Sequence, residues 1–218
     1  GASQGLDIHE SQSRFWDCWI GRSYEFWVYA LTSLRKYFPE ETENSNAKEF
    51  YRAVNKITQG FIRVDADPLT YNLHVLLRYE IEKMMIENTI SAQEVPEVWN
   101  TKFEEYFGIR PPDDAKGCLQ DVHWSSGAIG YFPTYTIGNV IGAQLFNRIK
   151  FEIHDLKEQI ANGDFSSIRE WLRQKIHAFG RLYSTTELVT MATGEPISID
   201  IFLSELKERY NDVYDVTL

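Results

Sequence analysis

Apolar side chains recur at three- and four-residue spacings along most of this chain, which is the pattern of amphipathic helices. The first such segment is predicted to form one helix from Ser11 to Phe38, ending before Pro39 because proline disfavours a helical residue in front of it. Its wide aromatic face indicates burial on more than one side of the helix. Further helices are predicted at about 46–57, 68–88, 96–107, 136–161, 166–179, 185–192 and 198–210.

Local signals indicate where these helices begin and end. Ser45 or Asn46 is a candidate N-cap for the second helix, and Asp67–Pro68 gives the third a cap followed by a first-turn proline. Gly108 and Gly194 end two later helices, and Ser166 or Ser167 begins another. The predicted apolar stripe of the third helix consists of Leu73, Leu76, Leu77, Ile81 and Met84.

Two segments lack the helical pattern. Phe61–Val64 is the best candidate for a short strand, and residues 117–133 form a loop rich in glycine, serine and aromatic residues. Loops on a helical scaffold often carry function. We therefore expect an all-α fold, a single helical domain over residues 1–218 with at most a small β-sheet.

Composition narrows the function classes. A chain of 218 residues with 43% hydrophobic and 25% charged residues is typical of soluble proteins, and its net charge of -10 argues against nucleic-acid binding. There is no signal peptide and no apolar run near the roughly 20 residues that span a bilayer, although Gly1–Ser3 could mark a boundary at which a targeting signal was removed. We expect no membrane partner, a cytoplasmic location, and free buried thiols at Cys18 and Cys118.

Three dense polar patches stand out against the helical pattern. They are Leu6–Arg14, which contains adjacent His9 and Glu10, then Ile62–Pro68, and then Gly117–Trp124. Taken alone, Glu10 is more simply a helix cap stabilised by the helix dipole, and His9 a structural histidine. The order of the three patches changes this interpretation.

The three motifs together closely resemble the carboxypeptidase Taq family of thermostable metallocarboxypeptidases. They are His-Glu-Ser-Gln at 9–12, Ile-Arg-x-x-Ala-Asp-Pro at 62–68 and Gly-x-x-Gln-Asp-x-His-Trp at 117–124. The segments 70–74 and 130–135 are also similar to that family. The resemblance covers essentially the whole chain and implies part of a larger helical peptidase fold, usually a homodimer, that removes single amino acids from peptide C-termini.

The resemblance implies a role for four residues. Glu10 would be the third ligand of a divalent metal, which we expect to be zinc, with cobalt as an alternative. Arg63 would hold the terminal carboxylate of the substrate, as a guanidinium can do bidentately. Tyr135 would stabilise the tetrahedral intermediate, since a phenol can donate to an oxyanion without ionising. His123 would belong to the substrate-facing loop.

Simpler interpretations stay open for these residues. Arg63 could pair internally with Asp65 or Asp67, and Tyr135 could be a core aromatic residue with a satisfied hydroxyl. Asp121 and Gln120 are expected to orient the loop rather than react. A substitute metal site of Glu10, His9 and His123 is disfavoured, because adjacent helical side chains diverge by roughly 100°.

The chain departs from the family at the metal site. The family takes two ligands and its general base from a helical His-Glu-x-x-His motif. Here no two of the five histidines are four residues apart. The family motif lies just upstream of the segment at which this sequence begins, so the resemblance implies a C-terminal portion lacking it. We expect this portion alone to be inactive and to retain no metal.

Two functional hypotheses follow. The first is a portion of a metallocarboxypeptidase that acts on peptides with a free C-terminus through metal-activated water. The alternative is a non-catalytic helical module, derived from that scaffold, that binds peptides or another subunit. A third interpretation is a stable helical folding unit. A His-Glu-x-x-His segment encoded upstream of Gly1 would favour the first.

Overall fold

The computed structural model describes residues 4–217 and confirms the all-α prediction, since no β-strand occurs within that range. Its helices are α1 (Leu6–Arg14), α2 (Tyr24–Tyr37), α3 (Pro39–Thr42), α4 (Ala47–Val54), α5 (Tyr71–Ile86), α6 (Val95–Phe107), α7 (Pro133–Glu152), α8 (Leu156–Ala161), α9 (Ser166–Lys175), α10 (Thr185–Thr193) and α11 (Ile199–Tyr214).

The chain forms two compact units. Unit 1 comprises residues up to Lys56 together with those from Ile137 onward, and unit 2 comprises Ile57–Thr136. α1–α4 and α8–α11 therefore belong to unit 1, and α5 and α6 to unit 2. α7 begins in unit 2 and continues in unit 1. The expectation of one domain over the whole chain stays a prediction.

The core of unit 1 brings α1 and the segment after it against α7. Phe15, Ile141 and Leu145 are fully buried in this core. Two glycines of α7 permit the close approach of α1. A Cβ atom on Gly138 would lie 2.8 Å from Glu10 Cβ, and one on Gly142 would lie 3.3 Å from the Ser11 carbonyl oxygen. Small residues at these positions let the two backbones pack tightly.

The long first helix was predicted wrongly as continuous. α1 widens into a π-helix at Phe15–Ile20, and α2 begins only at Tyr24. The Gly21 N–H donates to the Trp16 carbonyl at 2.8 Å, a bond spanning five residues that ends the π-helix. Ser23 then caps α2 by accepting a hydrogen bond from the Phe26 N–H. Burial is concentrated in the π-helix, where Phe15 and Trp19 are buried, whereas Leu31 is the one buried residue of α2.

The helix predicted at 136–161 is likewise divided. α7 begins earlier, at Pro133, and ends at Glu152, and α8 begins at Leu156. The turn between them places Leu156 and Ile160 in the core of unit 1. The helix predicted at 166–179 ends as an α-helix at Lys175 and is followed by a short 3-10 helix, His177–Phe179.

Three helix ends were predicted correctly from local signals. Asn46 forms a capping box with Glu49 at the start of α4. α6 and α10 end at Gly108 and Gly194, whose φ values of 68° and 90° are in the left-handed region that favours glycine. The short helix α3 lies between α2 and α4, where no helix was predicted.

The core of unit 2 forms between α5 and α6. Leu77 and Ile81 of α5 pack with Trp99 and Phe103 of α6. The predicted stripe of α5 was partly wrong, because Leu73 and Leu76 are 38% and 41% exposed. The face that is buried instead contains three polar side chains, His74, Arg78 and Glu82.

The strand prediction at Phe61–Val64 was wrong. Arg63–Asp65 forms a short 3-10 helix that leads to Asp67 and the start of α5. Asp67 Oδ1 accepts hydrogen bonds from the N–H groups of Leu69 and Thr70, so this carboxylate caps a turn that precedes α5 proper. The first helical residue is Tyr71 rather than Pro68.

Two further expectations concern the thiols and the membrane. Cys18 and Cys118 are both buried free cysteines, as predicted. No α-helix within residues 4–217 is long and apolar enough to cross a membrane.

His74 is a buried histidine of unit 2. It is 1% exposed and packs against Phe103 and Phe107, with ring centroids 5.6 and 4.4 Å away. Burial, reinforced by the charges of Arg78 and Arg63, lowers the pKa of His74 to about 3 from the ordinary 6.5. The folded protein therefore holds this imidazole neutral.

We expect His74→Met to remove part of the acid sensitivity of the fold. Below pH 6.5 the unfolded chain takes up a proton at His74 that the folded chain accepts only near pH 3. The stabilisation is thus fully present above pH 6.5 and is lost as the pH falls to about 3. The wild type should lose on the order of 4 kcal/mol more than the variant over this window. Urea unfolding at a series of pH values measures this loss in the free energy of unfolding, and the exposed His154→Met variant is the control. If that free energy changes equally with pH in all three proteins, the prediction is wrong.

Candidate functional site

Arg63 is the centre of the candidate site in unit 2. Its side chain is only 5% exposed, and its Nη2 donates to Asp121 Oδ1 at 2.7 Å. Nε lies 3.3 Å from both Asp121 oxygens, and Nη1 donates to the Tyr71 hydroxyl at 2.8 Å. Arg63 is therefore paired internally, but with Asp121 rather than with Asp65 or Asp67. One N–H on each Nη atom is without an acceptor among the residues that the structure describes.

The amide of Gln120 holds the backbone of this segment. Its Oε1 accepts from the Arg63 N–H at 2.8 Å, and its Nε2 donates to the Phe61 carbonyl at 2.9 Å. Nε2 also lies 3.0 Å from the Lys116 carbonyl oxygen. One side-chain amide thus provides the donor and acceptor that a neighbouring strand would have provided. This explains why an extended segment is stable here without a sheet.

A second arginine shares the Asp121 carboxylate. Arg78 of α5 has a side chain 1% exposed, and its Nε donates to Asp121 Oδ2 at 2.7 Å. Its Nη1 donates to the His74 carbonyl, also at 2.7 Å. One partly buried carboxylate, 12% exposed, therefore serves two buried guanidinium groups.

The shared ion pair perturbs all three groups. Burial alone would raise the pKa of Asp121, but the hydrogen bond from Arg63 and the charge of Arg78 hold it below its ordinary 3.8. Burial lowers the pKa of Arg78 to about 10. Burial also opposes the charge of Arg63, yet its hydrogen bond to Asp121 raises the pKa of that guanidinium. The cluster is charged at neutral pH.

Aromatic rings surround both guanidinium groups. Arg63 Cζ lies 4.8 Å from the centroid of the Tyr135 ring and 5.6 Å from that of Phe132. Arg78 Cζ lies 5.2 Å from the Phe132 centroid and 4.7 Å from that of Trp99. Cation–π contacts and steric confinement therefore restrict the orientation of each guanidinium plane.

The phenol of Tyr135 is paired with the imidazole of His123. His123 Nε2 and the Tyr135 hydroxyl are 3.1 Å apart, and which atom donates depends on the histidine tautomer. His123 Nδ1 lies 3.9 Å from Asp121 Oδ1. The structure thus brings together three of the four predicted site residues, Arg63, His123 and Tyr135, around one carboxylate.

Glu82 holds the loop that carries Asp121 and His123. This residue of α5 is 3% exposed, and it accepts hydrogen bonds from Trp124 Nε1 at 2.7 Å and from the Gly130 N–H at 3.2 Å. Burial raises the pKa of the Glu82 carboxyl. Arg78 and Glu82, one helical turn apart, therefore bind two ends of the loop to the same helix.

Glu10, the fourth predicted residue, belongs to unit 1. It lies in the second turn of α1, which begins at Leu6, so the interpretation of Glu10 as a helix cap is wrong. The first-turn acid is Asp7, whose Oδ1 accepts from the Ile8 N–H. Glu10 Oε2 accepts a hydrogen bond from the Ser13 hydroxyl at 3.1 Å. Its backbone is positioned by the close approach to Gly138.

The donor set for a metal is incomplete in the described part of the chain. Among residues 4–217, no group of three or more His, Cys, Asp or Glu side chains is arranged to hold a metal ion. A catalytic zinc takes about three protein ligands, and Glu10 supplies one carboxylate. The residues present do not by themselves fit a complete catalytic metal site.

A cavity of about 550 Å³ in unit 1 is a separate feature. Its wall includes Trp19, Tyr51, Lys150 and Arg209, and none of the four predicted site residues lines it. This cavity is therefore separate from the Arg63 cluster of unit 2.

Arg78 and Glu82 are the residues that sequence reasoning missed. Both lie on the buried face of α5, whereas hydropathy favoured the face with Leu73 and Leu76. Their four-residue spacing is typical of a solvent-exposed helix pair. The sequence feature that bears on their burial lies in the loop at 117–133, where Asp121 was expected only to orient the loop.

We expect Gln120→Glu to destabilise unit 2 by about 1 kcal/mol, because a carboxylate keeps the acceptor for the Arg63 N–H but loses the donor to the Phe61 carbonyl. Gln120→Met removes both bonds and should cost about twice as much. Urea unfolding measures the free energy of unfolding of both variants. The control is Gln174→Met, an exposed glutamine bonded to Glu170; equal stability of all four proteins would refute the assigned role.

The comparisons with known proteins agree on one family. A family model described as carboxypeptidase Taq (M32) metallopeptidase matches residues 1–210. The chain is 44% identical over 205 residues to thermostable carboxypeptidase 1 of Pyrococcus furiosus, covering 94% of this chain and 41% of that protein. It is 38% identical over 214 residues to carboxypeptidase 1 of Bacillus subtilis, covering 98% and 42%. The chain thus spans about two fifths of the length of these relatives.

Solved structures agree with the sequence match. The M32 carboxypeptidase from Deinococcus radiodurans R1 superposes with a TM-score of 0.94 at 39% identity, covering 99% of this chain and 44% of that one. Metallocarboxypeptidase 1 of Trypanosoma cruzi gives a TM-score of 0.91 at 38% identity, covering 96% and 44%. The chain therefore belongs to the carboxypeptidase Taq (M32) metallopeptidase family.

Proposed function

We propose that this chain is a portion of a metallocarboxypeptidase that releases single amino acids from the C-termini of peptides. The observation that carries the proposal is the cluster of Arg63, His123 and Tyr135 around Asp121. It combines an oriented guanidinium with a phenol–imidazole pair. An exopeptidase needs both a group that recognises a free carboxylate and a donor at the scissile bond.

Arg63 is proposed to bind the terminal carboxylate of the peptide. Asp121 and Tyr71 take three of its five N–H groups, which leaves one on each Nη atom for a ligand oxygen. Because the side chain is 5% exposed, the ligand would meet it at one edge in a mostly desolvated setting. There an ionic hydrogen bond is stronger than in water.

Tyr135 and His123 are proposed to act as one unit at the reacting carbonyl. The phenol can donate to an oxyanion while the imidazole accepts or supplies the shared proton across 3.1 Å. The contact of Tyr135 with the Arg63 guanidinium fixes the position of the ring relative to the carboxylate site. The distance between the carboxylate-binding group and the oxyanion donor is therefore set within unit 2.

Glu10 is proposed to contribute one carboxylate to a divalent metal, zinc or alternatively cobalt. The other ligands and the general base are proposed to come from a His-Glu-x-x-His segment outside this chain. We expect the 218-residue chain alone to be inactive as a peptidase. The proposed whole protein is cytoplasmic and homodimeric.

We expect this chain to bind N-acetyl-alanyl-phenylalanine at least tenfold more tightly than the corresponding C-terminal amide, because Arg63 pairs with the free carboxylate. Arg63→Met should abolish this preference, and Arg63→Lys should retain only part of it, since an ammonium lacks the planar fork. Isothermal titration calorimetry gives the two dissociation constants.

The matched control is Arg110→Met. Arg110 is also in unit 2, but it is 43% exposed and pairs with Glu97 at the surface. The Arg110→Met variant should leave the preference for the free acid over the amide unchanged. If the wild type binds acid and amide equally, the carboxylate-binding role of Arg63 is wrong.

A second candidate function is a non-catalytic helical module that binds peptides or another subunit. Exposed apolar side chains along α5 favour it, because contiguous apolar surface often marks an interaction site. The α5 apolar surface consists of Leu69, Leu73, Leu76, Tyr79 and Ile86, each between 38% and 68% exposed.

We expect the chain to self-associate through the α5 apolar surface. The double variant Leu76→Gln/Tyr79→Gln should shift the protein toward monomer, because it removes apolar area from the centre of that surface. Light scattering over a range of concentrations measures the mass. The control is Leu182→Gln, which alters a single 71% exposed leucine of unit 1. A monomeric wild type at high concentration would count against the prediction.

A further inference from the structure

Arg78 presents an energetic problem that its structural contacts do not explain. It brings a second positive charge to a carboxylate that Arg63 already engages through Nε and Nη2. The two guanidinium groups repel each other, and burial penalises both. An apolar residue at this position would leave a neutral Arg63–Asp121 pair. Replacing a whole buried ion pair or triad by apolar residues is often neutral or even stabilising, so stability alone does not require the second charge.

The sharing of Asp121 divides its charge between two partners. Arg63 Nη2 contacts Oδ1 and Arg78 Nε contacts Oδ2, each at 2.7 Å. Glu82, one turn further along α5, directs its oxygens to Trp124 and Gly130 rather than to either arginine. The cluster of two guanidinium groups and one carboxylate therefore carries an excess positive charge.

We propose that Arg78 is a positioning residue that keeps Arg63 available to an anionic ligand. By occupying one oxygen of Asp121, it prevents that carboxylate from neutralising Arg63 completely. The excess charge is then directed toward a ligand carboxylate at the exposed edge of Arg63. This inference rests on the proposed function, and it adds a residue outside the three sequence motifs.

The geometry around Arg78 suits this role. Its Nη1 is bound to the His74 carbonyl of its own helix, and its guanidinium lies against the Trp99 and Phe132 rings. The group is thus fixed and cannot reach a ligand itself. Phe132 contacts both guanidinium groups. Arg78 therefore acts through Asp121 on Arg63.

The test compares a neutral and a charged substitution at Arg78. Arg78→Gln keeps a donor for Asp121 but removes the charge, whereas Arg78→Lys keeps the charge but loses the fork. For each protein, calorimetry gives the ratio of dissociation constants for the amide and the free acid of N-acetyl-alanyl-phenylalanine. We expect Arg78→Gln to reduce this ratio at least fivefold and Arg78→Lys to retain most of it. Arg110→Met is the control.

The outcomes separate the inference from the proposed function. A purely structural residue would affect acid and amide binding equally, so an unchanged ratio in Arg78→Gln, or equal losses in both variants, overturns the inference. A wild type without any preference overturns the proposed function and the inference with it. If Arg78→Gln does not fold by circular dichroism, Arg78→Met replaces it. Unfolding of both neutral variants would make Arg78 a structural residue and reject the proposal.

Discussion

The ion pairs of the Asp121 carboxylate with Arg63 and Arg78 are the interaction on which the organisation of unit 2 depends. They join three segments distant in sequence, namely the 3-10 helix with Arg63, the helix α5 with Arg78, and the loop with Asp121. Transferring these charges from water is costly, so the arrangement depends on the ion pairs and hydrogen bonds that compensate the charges. The aromatic rings of Phe132 and Trp99 exclude water from the cluster. Folding of the loop and formation of the ion pairs are consequently coupled.

Side-chain polar groups replace regular secondary structure around this carboxylate. Gln120 satisfies the backbone of the segment at 61–63, and Glu82 satisfies the Gly130 N–H of the irregular loop. Such bonds impose no repeating geometry, so they allow the loop to place His123 beside Tyr135. A helix or sheet would have fixed those side chains by its own period. Irregular backbone is thus what makes this placement available.

Prediction from sequence succeeded where the determinants are local. The capping box at Asn46 and the left-handed glycines Gly108 and Gly194 depend on residues within one turn, and they were predicted correctly. The break at Gly21 was missed because an aromatic stripe continues across it, and the π-helix there depends on packing against α7. The motifs placed Arg63, His123 and Tyr135 together by resemblance, without any indication that Asp121 connects them.

The wrong prediction of the buried face of α5 has a more general physical reason. Hydropathy assigns a buried face by counting apolar residues, and it therefore chose Leu73 and Leu76 over Arg78 and Glu82. The burial of a charge is decided by its partner, and Asp121 lies 43 residues from Arg78 and 58 from Arg63. No periodicity within α5 contains that information. The buried charges of α5 are therefore determined by residues outside the helix, and a hydropathy pattern within α5 alone cannot locate them.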